Sequence, residues 1–180
     1  SHKSNRESVV KRRLSLIKAA TPLTEDEATI TSAQLYTLGV IGQLEALNAT
    51  IKEYDRQIAH WLDQHDDKAL FESFPSAGPV FAPRLLAAFG SDRERFENAE
   101  EVQKYSGIAP VLERSGNSSW VHWRYKCSKH LRQTFVEWAE KTATQESSFW
   151  AKQFYEEKRQ QGKTHYVIIR ALAYKWIRIM

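Results

Sequence analysis

The sequence is poor in cysteine, proline and glycine: its 180 residues include one cysteine, five prolines and seven glycines. The single cysteine, Cys127, cannot form an internal disulfide, which excludes a disulfide-stabilised scaffold and favours a reducing compartment. The sequence also lacks any run approaching the roughly 18 apolar residues that span a bilayer. We therefore expect a cytoplasmic location and no membrane partner.

Acidic residues are absent from one long stretch, residues 114–132. The cations of this basic segment are Arg114, Arg124, Lys126, Lys129 and Arg132. Trp120, Trp123 and Tyr125 lie between them and offer faces on which bases or sugars stack. A run of one charge sign with interleaved aromatics predicts a surface that binds nucleic acid. The alternative is a solvated loop whose serines make turns and caps.

The composition that is present indicates a folded and mainly helical chain. The hydrophobic fraction of 42% and the aromatic fraction of 12% exclude a disordered protein. The length suits one ordinary domain with an appendage. Period-2 alternation occurs in one segment, 118–125, which could make a short hairpin arm. We therefore predict an all-α fold class.

Apolar residues recur at spacings of three and four from Ile30 to Trp61. One heptad position holds Ile30, Thr37, Leu44, Ile51 and Ile58, and another holds Ala33, Val40, Leu47, Tyr54 and Trp61. This pattern predicts a coiled-coil arm, which we assign to residues 1–72, with Thr24 as the helix N-cap. The stripe is wider than a two-stranded seam, so it needs either a second helix, for which the preceding segment 7–20 is the candidate, or a tetrameric contact. We expect a homo-oligomer formed through this arm.

Residues 73–180 are predicted to form a compact helical domain. Its expected helices are 80–89, 99–105, 129–144, 147–161 and 164–180, and the last is apolar on most sides, as in the centre of a bundle. The turn Phe74-Pro-Ser-Ala-Gly-Pro79 leads into the first of these helices and resembles a helix-hairpin-helix. Backbone N–H groups at Ser76 and Gly78 would then hold one phosphate of a nucleic-acid strand.

The order of several short motifs resembles a known family. These are Phe-Pro-Ser-Ala-Gly-Pro (74–79), Leu-Leu-Ala-Ala-Phe-Gly (85–90), Arg-Phe (95–96), Tyr-Ser-Gly-Ile-Ala-Pro (105–110), Ser-Gly (115–116), Leu-Arg (131–132), Phe-Tyr (154–155) and Gly-Lys (162–163). In this order they resemble the C-terminal domain of the one-ten/one-one-six/nine-oh-two family of insertion-sequence transposases, whose relatives include the Piv and MooV invertases. The resemblance covers about residues 70–180, and the arm also has its expected place.

The resemblance implies a bacterial DNA recombinase, associated with the nucleoid, in two catalytic parts. An N-terminal domain of RNase-H-like fold would carry four acidic residues that bind a divalent metal, magnesium. The C-terminal domain would supply the serine of the Ser-Gly dipeptide, here Ser115 beside Gly116, as nucleophile on DNA. The Gly-Lys pair adds Lys163 to the expected nucleic-acid contacts, and some members use a structured guide RNA. Nothing in these residues resembles the acidic tetrad, so we expect no cofactor here and binding without cleavage.

Three features depart from the family pattern: Ser76 and Cys127 stand where glycine is usual, and the segment Trp120 to Tyr125 is aromatic where small and basic residues are common. The phosphate-binding turn at Ser76 is therefore expected to be altered. The residues by themselves do not show which of Ser115, Ser118 and Ser119 would be the nucleophile, and the family resemblance selects Ser115.

Other functions remain open at the level of sequence. His122, Cys127 and His130 could bind a transition metal, but three ligands in a cationic stretch disfavour zinc, and we assign no metal site. A hydrolase triad lacks the strand-turn-helix elbow around its serine. The main rival is a binding and oligomerisation module in which Ser115 is a turn residue, and a helical scaffold for protein partners is a third reading.

Overall fold

The computed structural model describes residues 2–92, 94–144 and 147–180, and it is largely helical, as predicted. The helices are α1 (His2–Ala19), α2 (Glu27–Asp63), α3 (Lys68–Ser73), α4 (Gly78–Phe89), α5 (Ala99–Tyr105), α6 (Lys129–Thr144), α7 (Phe149–Gln160) and α8 (His165–Ile179). Two strands, β1 (Val111–Ser115) and β2 (Ser118–His122), pair as an antiparallel hairpin between α5 and α6. No helix in the described ranges is long and apolar enough to cross a membrane.

The chain divides into two compact units, Ser1–Tyr54 and Asp55–Met180. In the first unit, α2 begins with Asp26 as its capping side chain, because the Asp26 carboxylate accepts a hydrogen bond from the backbone N–H of Thr29. Thr24, the N-cap expected from the sequence, instead accepts from the backbone N–H of Asp26. The hydrogen bonds from Thr29 hold the pKa of Asp26 below its ordinary value.

The apolar stripe of the first unit is open to solvent. The exposed large side chains of α2 within this unit are Ile30, Leu35, Tyr36, Leu38, Ile41, Leu44, Leu47, Ile51 and Tyr54. Val10, Leu14, Leu16 and Ile17 of α1 are also exposed. The preceding helix therefore does not bury the α2 stripe, contrary to the first option offered by the sequence. The coiled coil itself stays a prediction.

The second unit is a helical bundle in which α6 and α8 are central. Helix α6 packs on α4, α7 and α8, while α8 also contacts α5 and α7. Buried side chains recur on one face of α6 at Phe135, Trp138, Ala139 and Thr142, at the spacing of an amphipathic helix. Asn98 caps α5 by accepting from the N–H groups of Glu100 and Glu101, and Ser148 accepts from Ala151 at the start of α7.

Three neighbouring tryptophans connect helices α6, α7 and α8. The ring centroid of Trp176 lies 4.9 Å from that of Trp138 and 4.6 Å from that of Trp150. The indole N–H of Trp138 donates to the carbonyl of Pro75 at 2.8 Å, which ties α6 to the turn before α4. The indole N–H of Trp176 donates to the hydroxyl of Thr142. Each buried indole N–H thus has an acceptor, as burial requires.

Helix α8 is buried on one face, whereas the sequence suggested burial on most sides. Its buried residues are Ile168, Ile169, Leu172, Ala173, Trp176 and Ile177. Tyr166, Val167 and Ile179 are exposed on the other side. The apolar outer face contributes to a surface groove instead of the core.

Candidate nucleic-acid interface

The hairpin presents Ser115 at its tip. Ser115 pairs with Ser118 across the ladder, and Gly116 and Asn117 form the two-residue turn between them. Gly116 has φ of 57°, the left-handed value that a primed hairpin turn with glycine first requires. Every side chain of β1 and β2 is exposed except for Val111 and His122, which are half-buried. The serine therefore stands clear of the bundle, where a strand of nucleic acid can reach it.

The ladder assigns the hairpin residues to two faces. Paired residues share a face and successive residues alternate, so Ser115 lies on the face of Glu113 and Trp120. Arg114 lies on the opposite face with its partner Ser119. The basic residue next to the serine in sequence therefore does not share the serine's face.

Glu113 organises the serine face of the hairpin. Its Oε2 accepts a hydrogen bond from the indole N–H of Trp120 at 3.1 Å and lies 3.2 Å from Nε2 of His122. Within the described residues the Ser115 hydroxyl makes no hydrogen bond, so neither this carboxylate nor a histidine activates it directly.

Two arginine side chains and the backbone of a third arginine meet where the hairpin joins the bundle. The guanidinium carbon of Arg170 lies 3.4 Å from the ring centroid of Trp123, and that of Arg132 lies 5.4 Å from the same centroid. Arg132 also donates to the carbonyl of Arg124 at 3.4 Å, and Arg170 donates to the carbonyl of Ile108 at 3.3 Å. We call Trp123, Arg124, Arg132 and Arg170 the arginine cluster. The structure thus brings two predicted contacts, Arg124 and Arg132, together.

The arginine cluster has no internal counter-ion. Within ranges 2–92, 94–144 and 147–180 no carboxylate forms an ion pair with any of its three arginines. The Nε atom of Arg124 is buried and has no hydrogen-bond partner there. Burial and the neighbouring charge of Arg132 lower the pKa of Arg170 from its ordinary value. An external anion bound by the half-buried guanidinium groups of Arg132 and Arg170 would relieve the repulsion between them.

The remaining predicted contacts lie on other elements. Lys126 and Lys129 are exposed between the hairpin and the first turn of α6, and Lys163 is exposed after α7, where its carbonyl accepts from Arg159. Gly78 begins α4 with φ of 48°. The helix-hairpin-helix and the contacts assigned to these residues stay predictions.

The turn before α4 explains why glycine would suit position 76. Ser76 is the one non-glycine residue in the described ranges with positive φ, at 57°. Its hydroxyl shares a 2.6 Å hydrogen bond with that of Ser147. A left-handed conformation costs an L-residue about 1–2 kcal/mol, so the turn keeps its shape at the expense of strain.

Gly107 allows the segment after β2 to pack closely against the end of α5. It has φ of 73°, and a Cβ atom added to it would meet Sγ of Cys127 and lie 2.8 Å from Cβ of Cys127. This contact brings the segment after β2 against the end of α5. The described residues contain no group of three or more His, Cys, Asp or Glu side chains that could hold a metal, so His122, Cys127 and His130 do not assemble into a site.

Sequence reasoning missed Arg170 as part of the basic surface. It lies on α8, far along the chain from the basic segment, and its neighbours on the helix are largely apolar. The local sequence showed only that Arg170 is a charged residue on a largely apolar helix. Such a residue is equally typical of an ordinary solvent-exposed position.

Comparison with known proteins adds independent information. Residues 68–156 match the Transposase IS116/IS110/IS902 family. A protein of Streptomyces coelicolor proposed as the transposase for the IS117 mini-circle is 29% identical over 140 residues, which are 78% of this chain and 33% of that protein. An uncharacterized 44.8 kDa protein of insertion element IS116 from Streptomyces clavuligerus is 27% identical over 77% of this chain and 34% of its own length. An uncharacterized 42 kDa protein of insertion element IS900 from Mycobacterium paratuberculosis is 28% identical, with the same two shares.

Residues 68–156, which hold the hairpin and helices α3 to α6, therefore match a transposase domain of the IS116/IS110/IS902 family, the family that the order of motifs predicted. The chain spans about a third of the length of the curated relatives it matches.

Proposed function

We propose that this chain is the part of an insertion-sequence transposase that binds DNA and presents Ser115 to a phosphodiester. The main support is that Ser115 is exposed at the tip of a hairpin. The base of this hairpin contacts the arginine cluster, which has no counter-ion among the described residues. Phosphate groups are the anions that DNA offers in a row, and arginine contacts them with two donors at once. A guide RNA is a further proposed partner, from the family resemblance.

The proposed chemistry is phosphoryl transfer to the serine. The Ser115 oxygen attacks phosphorus and its proton passes to a base outside the described residues. The bond from phosphorus to one strand oxygen breaks, and that oxygen takes up a proton and leaves as a hydroxyl. The other strand end stays on the serine as a phosphodiester. The positive charges at the base of the hairpin would hold the neighbouring phosphates during this step.

The described residues do not fit the divalent metal that the family resemblance implies, because they contain no group of side chains able to hold one. We propose that magnesium binds in another part of the protein. No step above runs through it.

The binding part of the proposal is tested by the salt dependence of affinity. Arg124, Lys126, Lys129 and Arg132 supply up to four phosphate contacts, so the slope of log affinity against log salt on duplex DNA should be roughly −3 to −4. Replacing all four by alanine should flatten the slope and weaken binding. The matched control removes the same charge from exposed positions of α1, by alanine at Lys11, Arg12, Arg13 and Lys18. Equal effects of the two variants would contradict the assignment.

The catalytic part is tested in the full-length protein by replacing single serines. Ser115→Ala should abolish cleavage while leaving DNA affinity and folding close to normal, because one exposed hydroxyl is lost. Ser118→Ala and Ser119→Ala are matched controls on the partner strand and should cleave. Protein–DNA adducts trapped by denaturation, followed by peptide mapping, identify the linked serine.

A second candidate is a module that binds and oligomerises without taking part in catalysis. The absence of a hydrogen bond to the Ser115 hydroxyl within the described residues favours it. Full cleavage by the Ser115→Ala protein would make this the better account.

We also propose that the arm joins copies of the chain. The exposed apolar stripe of α2 in the first unit repeats with the heptad pattern and needs a covering surface. A second α2 carries the same stripe, so like helices can cover each other.

A further inference from the structure

A groove of about 920 Å³ runs between the outer face of α8 and the base of the hairpin. Its floor is apolar and includes Val121 of β2, Trp150 of α7, and Val167 and Ala171 of α8. Val121 and Val167 are 65% and 56% exposed, so this floor is open to a ligand as the chain stands. An apolar concavity of this size can hold the bases of a few nucleotides.

The rim of the groove is cationic and contains no acid. Arg170, Lys175 and Arg178 line it, and none of its lining residues is Asp or Glu. Within the part of the chain that the structure describes, none of these three cations forms an ion pair with a carboxylate. They lie along one helix and span about 12 Å at a rise of about 1.5 Å per residue. An occupant with an apolar body and a row of negative charges matches this lining.

Arg170 joins the groove to the arginine cluster. Its guanidinium stacks on Trp123, and Arg132 lies beside the same ring. Trp123 is 44% exposed, and Arg132 and Arg170 beside it are half-buried, so the two cations lie at the edge of the bundle. One end of the groove therefore has two repelling guanidinium groups fixed in place, which is the arrangement that a phosphate group relieves.

We propose that this groove binds an unpaired segment of single-stranded DNA, with phosphates on Arg170, Lys175 and Arg178 and bases against the apolar floor. A duplex keeps its bases stacked inside and presents phosphates and sugars, which would leave the floor uncovered, whereas a single strand presents base faces to apolar and aromatic walls. Among the lining residues only Tyr174 and Trp150 carry neutral hydrogen-bonding groups, so the groove has few neutral partners for a ribose 2′-hydroxyl, and this favours DNA over RNA.

The groove lies close enough to the hairpin for one strand to reach both. Val121 lines the groove from the hairpin face that carries Arg114. Ser118, the ladder partner of Ser115, is three residues away on β2 and on the other face, so a strand that reaches both passes around the edge or tip of the hairpin. At about 3.3 Å per strand residue, the tip is about 10 Å from the groove edge. The inference rests on the proposed DNA-binding function. It adds that the bound DNA is unpaired and that it lies in this groove.

The test introduces a negative charge into the floor. Ala171 is exposed on α8, so Ala171→Glu should fold normally, and Ala171→Gln is a matched control of the same size without the charge. Binding of a single-stranded DNA of about 15 nucleotides is measured by fluorescence anisotropy, beside a duplex and an RNA of the same sequence. We expect Ala171→Glu to weaken single-strand binding about fivefold to tenfold relative to Ala171→Gln, because a like charge is placed near the phosphates.

Substitutions at the cationic rim of the groove give a second measurement of single-strand binding. Lys175→Ala with Arg178→Ala should weaken single-strand binding by a similar factor, whereas removing one exposed cation outside the groove, Lys141→Ala, should change it less than twofold. Thermal unfolding of each variant shows whether a loss reflects folding.

The outcomes separate this inference from the proposed function. Duplex binding that responds to the basic segment, with single-strand binding equal in the Ala171→Glu and Ala171→Gln proteins, overturns the groove and leaves the proposed function standing. Tighter binding of RNA than of DNA in the groove overturns the choice of strand. Binding of neither duplex nor single strand overturns both proposals.

Discussion

Replacing Gly107 by alanine probes the contact that holds the segment after the hairpin against α5. The backbone of Gly107 is left-handed, with φ of 73°, which costs alanine about 1–2 kcal/mol, partly offset by about 0.4–1 kcal/mol from the stiffer unfolded chain. The added Cβ also meets the Cys127 side chain, and overpacking of this kind costs about 1–3 kcal/mol. We expect Gly107→Ala to lower the free energy of unfolding by about 2–4 kcal/mol.

Gly162 provides the matched control for backbone strain. It also has a left-handed φ, of 77°, but a Cβ added there meets nothing within 4 Å. Gly162→Ala should therefore show the strain alone, about 1 kcal/mol. The difference between the two variants measures the clash with Cys127.

Urea denaturation followed by tryptophan fluorescence measures these changes, since Trp138 and Trp176 lie in the core. Adding Cys127→Gly to Gly107→Ala removes the clash but not the strain. The double-mutant cycle should therefore give a coupling energy of about 1–3 kcal/mol. Equal losses for Gly107→Ala and Gly162→Ala, within about 0.5 kcal/mol, would refute the reasoning.

Three further perturbations test other parts of the structure. Leu47→Glu places a charge in the stripe of α2 and should shift the chain toward monomer in light scattering; a wild-type chain that is already monomeric at high concentration would contradict the arm proposal. Trp138→Phe leaves the carbonyl of Pro75 without its donor and removes buried indole atoms, so the free energy of unfolding should fall by about 2–4 kcal/mol in urea titrations. Ser76→Gly should raise it by about 1 kcal/mol by relieving the left-handed strain, and a lower value would show that the hydroxyl contributes more than the strain costs.

The helices were predictable from sequence because their signals are local. Helix α6 spans Lys129–Thr144 and α5 spans Ala99–Tyr105, the ranges that apolar spacing and capping residues predicted. The end of α4 before Gly90 was also predictable, since the glycine takes the left-handed φ of a helix C-terminus. Each of these features depends on residues within a few positions of one another.

The hairpin was predictable in one strand only. Strand β2, with sequence SSWVH, lies inside the segment 118–125 that was expected to form a hairpin arm, although polar and apolar residues alternate only from Val121 to Tyr125. Strand β1, with sequence VLERS, does not alternate and was not expected. Strand β1 forms because Gly116 turns the chain back and β2 supplies its hydrogen-bond partners, so its state is set by pairing and not by its own pattern.

The arginine cluster and the groove could not be predicted, because their residues meet through tertiary packing alone. Trp123 follows the hairpin, Arg132 lies on α6 and Arg170 on α8. The packing of α6 on α8 brings these positions together, and no periodicity in the sequence encodes which outward-facing side chains will then be neighbours. The positions of Ser115 and Arg114 on opposite faces likewise depend on the ladder register.

The two-residue turn at Gly116 and Asn117 has a consequence for how relatives of this domain can diverge. Inserting or deleting one residue there would change which residues pair across the ladder, and a shift by one position reverses the face of every side chain on the shifted strand. A substitution in either exposed strand leaves that geometry intact. Functional relatives are therefore expected to keep the length of this hairpin, the turn glycine and the serine that we propose as nucleophile, while the other exposed positions vary.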